Sequence, residues 1–417
     1  MESLQEGGDV KYRIEEDEEE MLTAKKGPIL RDDIIFSSIK ARTKPSILFY
    51  VILILTTILT IAIVVAVLLI GDEKKDYPTY EEILEKLEKT VTRLKPHIHI
   101  KTEIIGKSVE NRNITLLKMF PKSDNPPNTT DQCSHPLVWV VCGVHAREWT
   151  SPLTCLSFIK RIGDIFTSSS PSSDAILGTL QYNILVLANP DGYHYSMSAE
   201  SHRLARKNRQ KSSCPDPLLD GVDINRNFGS GYNHGDDCYG QLCPFNATPC
   251  SITHGGKSPF SEPETRAVRD AMVAEVPWLS LSLHGNGNSW SSPFAYKISD
   301  PTSTTIPEWD LEFLTDKIVK EFGTQYLNGS SASVMYRAGG TMIDWVFEDL
   351  GVIRSYNHEL RNLCTDQMLK SSKDDRGLCI FQPKVQLAMD LIIPEAWFGF
   401  KELLKHSYQY DCVSKDI

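Results

Sequence analysis

No cysteine precedes position 133, no charge interrupts residues 47–70, and basic residues do not outnumber acidic ones. Each absence excludes something. With 44 Lys and Arg against 54 Asp and Glu, a net charge of −10, the chain has no basic footprint for nucleic acid. It carries no internal repeat and no long low-complexity segment, so a solenoid or repeat array is not expected. All 10 cysteines fall in the later part of the 417-residue chain. That asymmetry fits a chain whose later part folds in an oxidising compartment. What remains, at 41% hydrophobic and 24% charged residues, is the composition of a globular protein with a sizeable core.

The uncharged run from Ile47 to Ile70, "ILFYVILILTTILTIAIVVAVLLI", is long enough to cross a bilayer with some tilt. A cleaved signal peptide is a poor fit, because a long segment precedes the run and its apolar core is too long. A transmembrane signal-anchor helix over 46–70 is the expectation. Lys40, Arg42 and Lys44 precede it, favouring a cytoplasmic N-terminus, although Lys74 and Lys75 follow closely. The cysteines and the N-x-S/T sequons at Asn113, Asn128, Asn246 and Asn328 all lie after the run. The sequence thus reads as a single-pass type II membrane protein, its later part extracellular or lumenal, with the plasma membrane favoured. Residues 1–45, with the acidic run Glu15–Glu20, read as a disordered cytoplasmic tail. Residues 71–78 read as a short stalk, 79–412 as one catalytic domain and 413–417 as a tail.

In "TYEEILEKLEKTVTRL", Ile83, Leu84, Leu87, Val91 and Leu94 form one apolar helical face. The apolar runs Leu137–Val141, Tyr182–Ala188 and Leu279–Leu283 read as buried strands, and Pro152–Phe166, Glu262–Ala274 and Pro307–Phe322 as helices. Strands alternating with helices predict an α/β fold: a central sheet with helices on both faces. Each of the three strands leads into polar residues, and ligands gather at such carboxyl ends. The first leads into "GVHAREWTSP", where His145 and Glu148 form an H-x-x-E pair; the third leads to His284 in "HGNG". A hydrolytic zinc site needs three protein ligands and an open position, and these are three candidates. About one H-x-x-E is expected by chance in a chain of this composition, so the pair has little weight alone.

Further stretches add that weight: "SHRLARKNRQ" (Ser201–Gln210), "GVDINRNF" (Gly221–Phe228) and "MYRAGGTMIDW…SYNHELR" (Met335–Arg361). Together, and in this order, they resemble the zinc carboxypeptidases of the pancreatic A and B type over about Tyr80 to Tyr410. The resemblance implies a mixed, largely parallel sheet and one Zn2+ per chain held by His145, Glu148 and His284. Asp223 matches the carboxylate orienting the first histidine. Asn225 and Arg226 match residues gripping the substrate's terminal carboxylate, and Tyr336 the mobile tyrosine closing over it. Arg206 matches the oxyanion-stabilising arginine, Arg147 a substrate-binding arginine, and Glu359 the general base and acid. Ile343 matches the floor of the side-chain pocket, where an apolar residue favours apolar or aromatic C-terminal residues. Polar residues at Ser291, Ser331, Thr341 and Asn357 could broaden that preference.

Cys142–Cys155 resembles a B-type disulfide and Cys214–Cys250 the bridge shared across the family. Cys238/Cys243 and Cys364/Cys379 are candidates by proximity, leaving Cys133 and Cys412. Asn286 departs from the family, which usually has a tyrosine there. His97 and His99 suit a surface strand better than a second metal site. The stretch between Ile70 and Tyr80 is too short for the folded prosegment of secreted relatives, so an enzyme active as synthesised is expected. The reading is a membrane-anchored zinc exopeptidase acting on the C-termini of extracytoplasmic peptides or proteins. A silent ectodomain serving as a binding or adhesion receptor is one alternative, but the ligands and Glu359 are intact. A zinc-dependent deacylase of small amides is the other, and Asn225, Arg226 and Tyr336 argue against it.

Overall fold

The computed structural model describes residues 46–69, 77–122, 133, 135–168, 174–232, 248–298, 306–364 and 379–413. The chain divides into two compact units, Met1–Glu73 and Lys74–Ile417. The first unit holds α1 (Ile47–Leu69), a 23-residue helix with no acid in its first turn and no base in its last. Thr56, Thr57 and Thr60 return their hydroxyls to the carbonyls of Leu53, Leu53 and Thr56, so these side chains are satisfied within the helix. Among the described residues, no helix is long and apolar enough to cross a membrane. The span expected over 46–70 falls on α1, whose side chains are described only as far as Ile61. The tail expected over 1–45 and most of the stalk lie outside the described residues.

In the second unit, α2 (Tyr80–Leu94) starts at a reciprocal cap. Thr79 Oγ1 accepts from Glu82 N at 3.2 Å, and Glu82 Oε2 accepts from Thr79 N at 2.8 Å. Its face of Ile83, Leu87 and Leu94 is buried, each side chain contributing about 1.5–3 kcal/mol by leaving water.

The sheet comprises β1 (His99–Lys107), β2 (Asn113–Phe120), β3 (Leu137–Val141), β4 (Gln181–Leu185), β5 (Leu279–His284), β6 (Ser289–Ser292), β7 (Leu327–Ser330) and β8 (Arg354–Glu359). Its order is β1-β2-β4-β3-β5-β8-β6-β7. Strands β4, β3, β5 and β8 run parallel at the centre, β6 is antiparallel to β8 and parallel to β7, and β1 and β2 form an antiparallel margin. The sheet is mixed, as expected.

Both faces are covered, and strand alternation assigns each residue to one of them. Val138 and Val140 of β3 join a core with α2, α3 (Thr150–Thr167), α6 (Ile306–Phe322) and α9 (Ile393–Tyr408). Trp139 and Val141 join the opposite core, with α5 (Pro263–Ala274) and α8 (Met342–Glu348). Two shorter helices, α4 (Pro190–Ser198) and α7 (Ser331–Val334), complete the set used below. The expected strand over Tyr182–Ala188 ends at Leu185: the chain bends there, and Ala188 N and Asn189 N reach Cys142 O and Gly143 O instead. His99 opens β1 and stacks on Phe120 at 5.0 Å, while His97 lies in the preceding turn.

The disulfides are Cys133–Cys412, Cys142–Cys155, Cys214–Cys250 and Cys364–Cys379; Cys238 and Cys243 lie outside the described residues. Of the sequons, Asn328 is exposed and Asn113 half-buried, and Asn128 and Asn246 fall outside the described residues.

His358 of β8 is buried, stacked on Trp290 at 3.7 Å, with Nδ1 3.2 Å from Ser289 O. Burial depresses its pKa to about 3, with the Ser289 bond opposing. The unfolded chain therefore takes up this proton near pH 6.5 and the folded chain only near 3. His358 thus costs no stability above pH 6.5 and an increasing amount as pH falls toward 3. His358→Phe keeps the stack and removes the titration. Its melting temperature should fall less than wild type's between pH 7 and pH 4, measured by thermal unfolding at each pH.

Candidate active site

Three chain segments meet at the carboxyl ends of the parallel strands. After β3, a turn with Glu148 N donating to His145 O at 3.2 Å sets the two side chains on one side. This is the physical content of the H-x-x-E spacing. Strand β5 ends on His284, and the β5–β8 register pairs His284 with Glu359, placing a second carboxylate beside it.

The glycines of "HGNG" are dictated by those carboxylates. Gly285 N donates to Glu148 Oε2 at 3.0 Å, and a Cβ there would lie 3.0 Å from Glu148 Cβ. A Cβ on Gly287 would lie 2.6 Å from Glu359 Cβ, a distance real side chains do not adopt. Asn286 lies between the two glycines and lines the cleft.

His145 Nδ1 is 2.8 Å from Glu148 Oε1, and His284 Nδ1 is 3.1 Å from Glu148 Oε2 and 3.0 Å from His145 Nδ1. All three side chains are buried. The other ring nitrogens face away: His284 Nε2 lies 2.9 Å from Ser282 Oγ, and His145 Nε2 lies 3.3 Å from Asp223 Oδ1, close enough for charge pairing but not aligned as a hydrogen bond. Two ring nitrogens and a carboxylate thus converge on one point. Tetrahedral ligands at about 2.0–2.1 Å from Zn2+ would stand roughly 3.3 Å apart, close to this spacing. The donor set fits zinc, with Asp223 and Ser282 orienting the rings from behind.

Charge compensation makes this burial tolerable. Burial alone would raise the Asp223 pKa, but Arg206, Arg226 and His145 hold it well below the usual range. Arg206 donates from Nε at 2.9 Å and lies 2.8 Å away through its second nitrogen. Glu148 is likewise pushed up by desolvation and held down by His145 and His284, more strongly. Glu359 is less fully compensated: burial drives its pKa up to about 7, with His284 and, more weakly, Arg206 opposing and Glu148 adding to it. Arg147 lines the cleft over the Phe381 ring at 4.1 Å. Its guanidinium pKa is lowered to about 10, by burial first and then by Arg206.

The carboxylate-binding candidates meet in the same cleft, an open cavity of about 170 Å³. Arg226 Nη2 donates to the Tyr336 hydroxyl at 2.8 Å and Nη1 to Asn225 O at 2.6 Å, while its Nε is buried without a partner among the described residues. Asn225 Oδ1 accepts from Met342 N at 3.0 Å, leaving the amide hydrogens for a ligand. Ile343 lines the cleft with Ala295 and Ala338. Every metal, catalytic and substrate-binding residue expected from sequence is therefore in one place. Sequence reasoning missed Phe381, which follows Cys379 without any motif. It also missed Ser282, although a polar residue two before a strand-end histidine shares its face and is a readable signal.

This geometry suits a metal-dependent hydrolase. Comparison with known proteins gives the same answer: residues 84–376 match the family model "Zinc carboxypeptidase". The chain is 31% identical to human carboxypeptidase A5 over 340 residues, covering 80% of this chain and 68% of that protein. It is 29% identical to mouse carboxypeptidase A2 over 334 residues, covering 79% and 70%. Among solved structures, thrombin activatable fibrinolysis inhibitor (TAFI) superposes with a TM-score of 0.63 at 25% identity, covering 81% of this chain and 76% of that one. Carboxypeptidase A from Helicoverpa armigera shares the fold with a TM-score of 0.61 at 24% identity, over 81% and 74%. The chain belongs to the zinc carboxypeptidase family and is a metallocarboxypeptidase.

Asp223→Asn removes the carboxylate charge at His145 Nε2 and the nearer of the two carboxylates around Arg206. Zinc affinity should drop about ten- to hundredfold, read by competition with a chromogenic chelator.

Proposed function

We propose that this enzyme removes single residues from the C-termini of extracytoplasmic peptides or proteins, held at a membrane by α1. The observation that carries the catalytic part is the register of β5 on β8, which sets Glu359 beside His284 in a cleft also lined by Arg226. Zinc held by His145, Glu148 and His284 would lower the pKa of a bound water and polarise the scissile carbonyl. The remaining roles belong to the chain's own side chains. Asn225 and Arg226 bind the terminal carboxylate, the guanidinium offering two parallel N–H donors, and Tyr336 closes over it. Arg206, held by Asp223, presents fixed positive charge to the developing oxyanion. Glu359, beside the metal ligands at the end of β8, takes the proton of the attacking water and passes it to the leaving amine. Arg147 contributes a second cationic contact to the bound peptide. The apolar wall of Ala295, Ala338 and Ile343 supports a preference for apolar or aromatic C-terminal residues.

The anchoring part rests on α1, which at 23 residues is about 34 Å long. Its threonine hydroxyls are bonded to carbonyls within the helix, which suits a lipid environment. The disulfides and sequons of the second unit support an extracellular or lumenal catalytic domain. The short stretch between α1 and α2 has no room for a folded prosegment, which supports activity without proteolytic release.

Peptides with a free C-terminus should lose one residue, and their C-terminally amidated counterparts should resist. Equal cleavage of both would favour the small-amide deacylase, and cleavage of neither the silent receptor. Glu359→Gln should lower kcat about 10²–10⁴-fold with its zinc content unchanged.

For the anchor, activity should stay with carbonate-washed membranes of cells making the full chain and appear on intact cells without added protease. Activity in the soluble fraction, or only after proteolysis, would contradict this part.

A further inference from the structure

Past Arg226, the cleft continues between an apolar and a polar wall. Ala295, Ala338 and Ile343 form the apolar one. The polar one follows from sheet register: antiparallel pairing sets Ser291 of β6 beside Asn357 of β8 on one face, and Ser331, at the start of α7, reaches Ser291. Ser331 and Asn357 line the cleft. Ser291 lies behind Ser331, fully buried, its Oγ 2.7 Å from Ser331 Oγ.

Hydrogen counting assigns the direction of that bond. The two hydroxyls own two hydrogens, and one suffices for the contact. Ser291 Oγ has no other acceptor among the described residues, so its hydrogen would be stranded in the interior unless it points at Ser331. Ser291 therefore donates, and the Ser331 hydrogen is left for the cleft. Asn357 is the complement. Its Nδ2 leans on Glu359 Oε1 at 3.4 Å, while Oδ1 accepts nothing from the described residues. Ser331 thus offers a donor, and Asn357 an acceptor and its second amide hydrogen, opposite the apolar wall, with Thr341 also in the lining.

Asp344, next to Ile343 of the apolar wall, is fully buried, with its carboxylate oxygens taken by Ala295 N at 2.9 Å and 3.0 Å and by Tyr296 N at 3.2 Å. Glu359 is the acid that lines the cleft, at its catalytic end beside Asn357. A charged side chain pressed against Ala295, Ala338 and Ile343 would lose water without gaining a partner there.

We propose that this pocket selects an uncharged C-terminal residue with an apolar stem and a head group that both donates and accepts a hydrogen bond, a phenol or a carboxamide. Tyrosine is preferred over phenylalanine and glutamine over methionine, with Ser331 and Asn357 as the specificity-determining pair. The inference rests on the carboxypeptidase reading and revises its apolar preference: the apolar wall holds the stem, and the polar wall decides among residues of one size. Two neutral hydrogen bonds at an open cleft correspond to about tenfold in each comparison.

The test is kcat/KM of the full chain on N-blocked tripeptides differing only in the last residue: Tyr, Phe, Gln, Met, Lys and Glu. The expected result is Tyr over Phe and Gln over Met, each about tenfold, with Lys and Glu below Gln. In Ser331→Ala, both ratios should fall toward one. Parity or reversal in either wild-type pair overturns the proposal, as do wild-type ratios persisting in Ser331→Ala. If that variant does not fold, the wild-type panel alone decides. Release of no C-terminal residue from any of the six would instead overturn the carboxypeptidase reading beneath it.

Discussion

His145 is held between two buried carboxylates, with Glu148 2.8 Å from one ring nitrogen and Asp223 3.3 Å from the other. Much of the site depends on that arrangement. Two acids, two histidines and an arginine removed from water would each destabilise the fold unless paired. Here the pairing is nearly complete: Arg206 answers Asp223, Gly285 N answers Glu148, and Ser282 answers the far side of His284. The remaining demand is for positive charge where Glu148 and the two Nδ1 atoms meet, which is the demand a zinc ion satisfies. Catalytic function and burial are thus one electrostatic problem with one solution.

The same constraint explains why neighbouring residues differ in chemistry. Asp223 and Glu359 are both buried acids, yet one is held ionised and the other pushed up to about 7. The difference is the two guanidiniums around Asp223. An acid fixed as an anion can orient a ligand; one poised near neutrality can exchange a proton. Register supplies the rest, because pairing His284 with Glu359 fixes the distance between metal site and base through backbone hydrogen bonds. Gly285 and Gly287 keep the intervening loop close enough for both carboxylates to be reached.

Much of this was legible in the sequence, and the reasons are specific. The apolar runs leading to His145 and His284 read as buried strands because they are continuously or nearly continuously apolar, and Leu137–Val141 matches β3 residue for residue. Ile83, Leu87 and Leu94 announce α2 by helical spacing. What sequence could not supply were long-range facts. Nothing local says that Ser291 pairs with Asn357, that Cys133 meets Cys412, or that Phe381 lies under Arg147. The assigned roles of Arg206 and Asp223 came from resemblance; their contact, which gives those roles a physical basis, came from the fold.

The central claim is that the convergence of His145, Glu148 and His284 is a zinc site on which the fold also relies. The most direct measurement is metal content of the purified full chain by atomic emission, paired with thermal unfolding before and after removal of metal by a chelator. The account predicts one zinc per chain, and a melting temperature that falls on chelation and returns when zinc is restored. A chain that carries no zinc after incubation with it, and melts at the same temperature with and without the chelator, would contradict it.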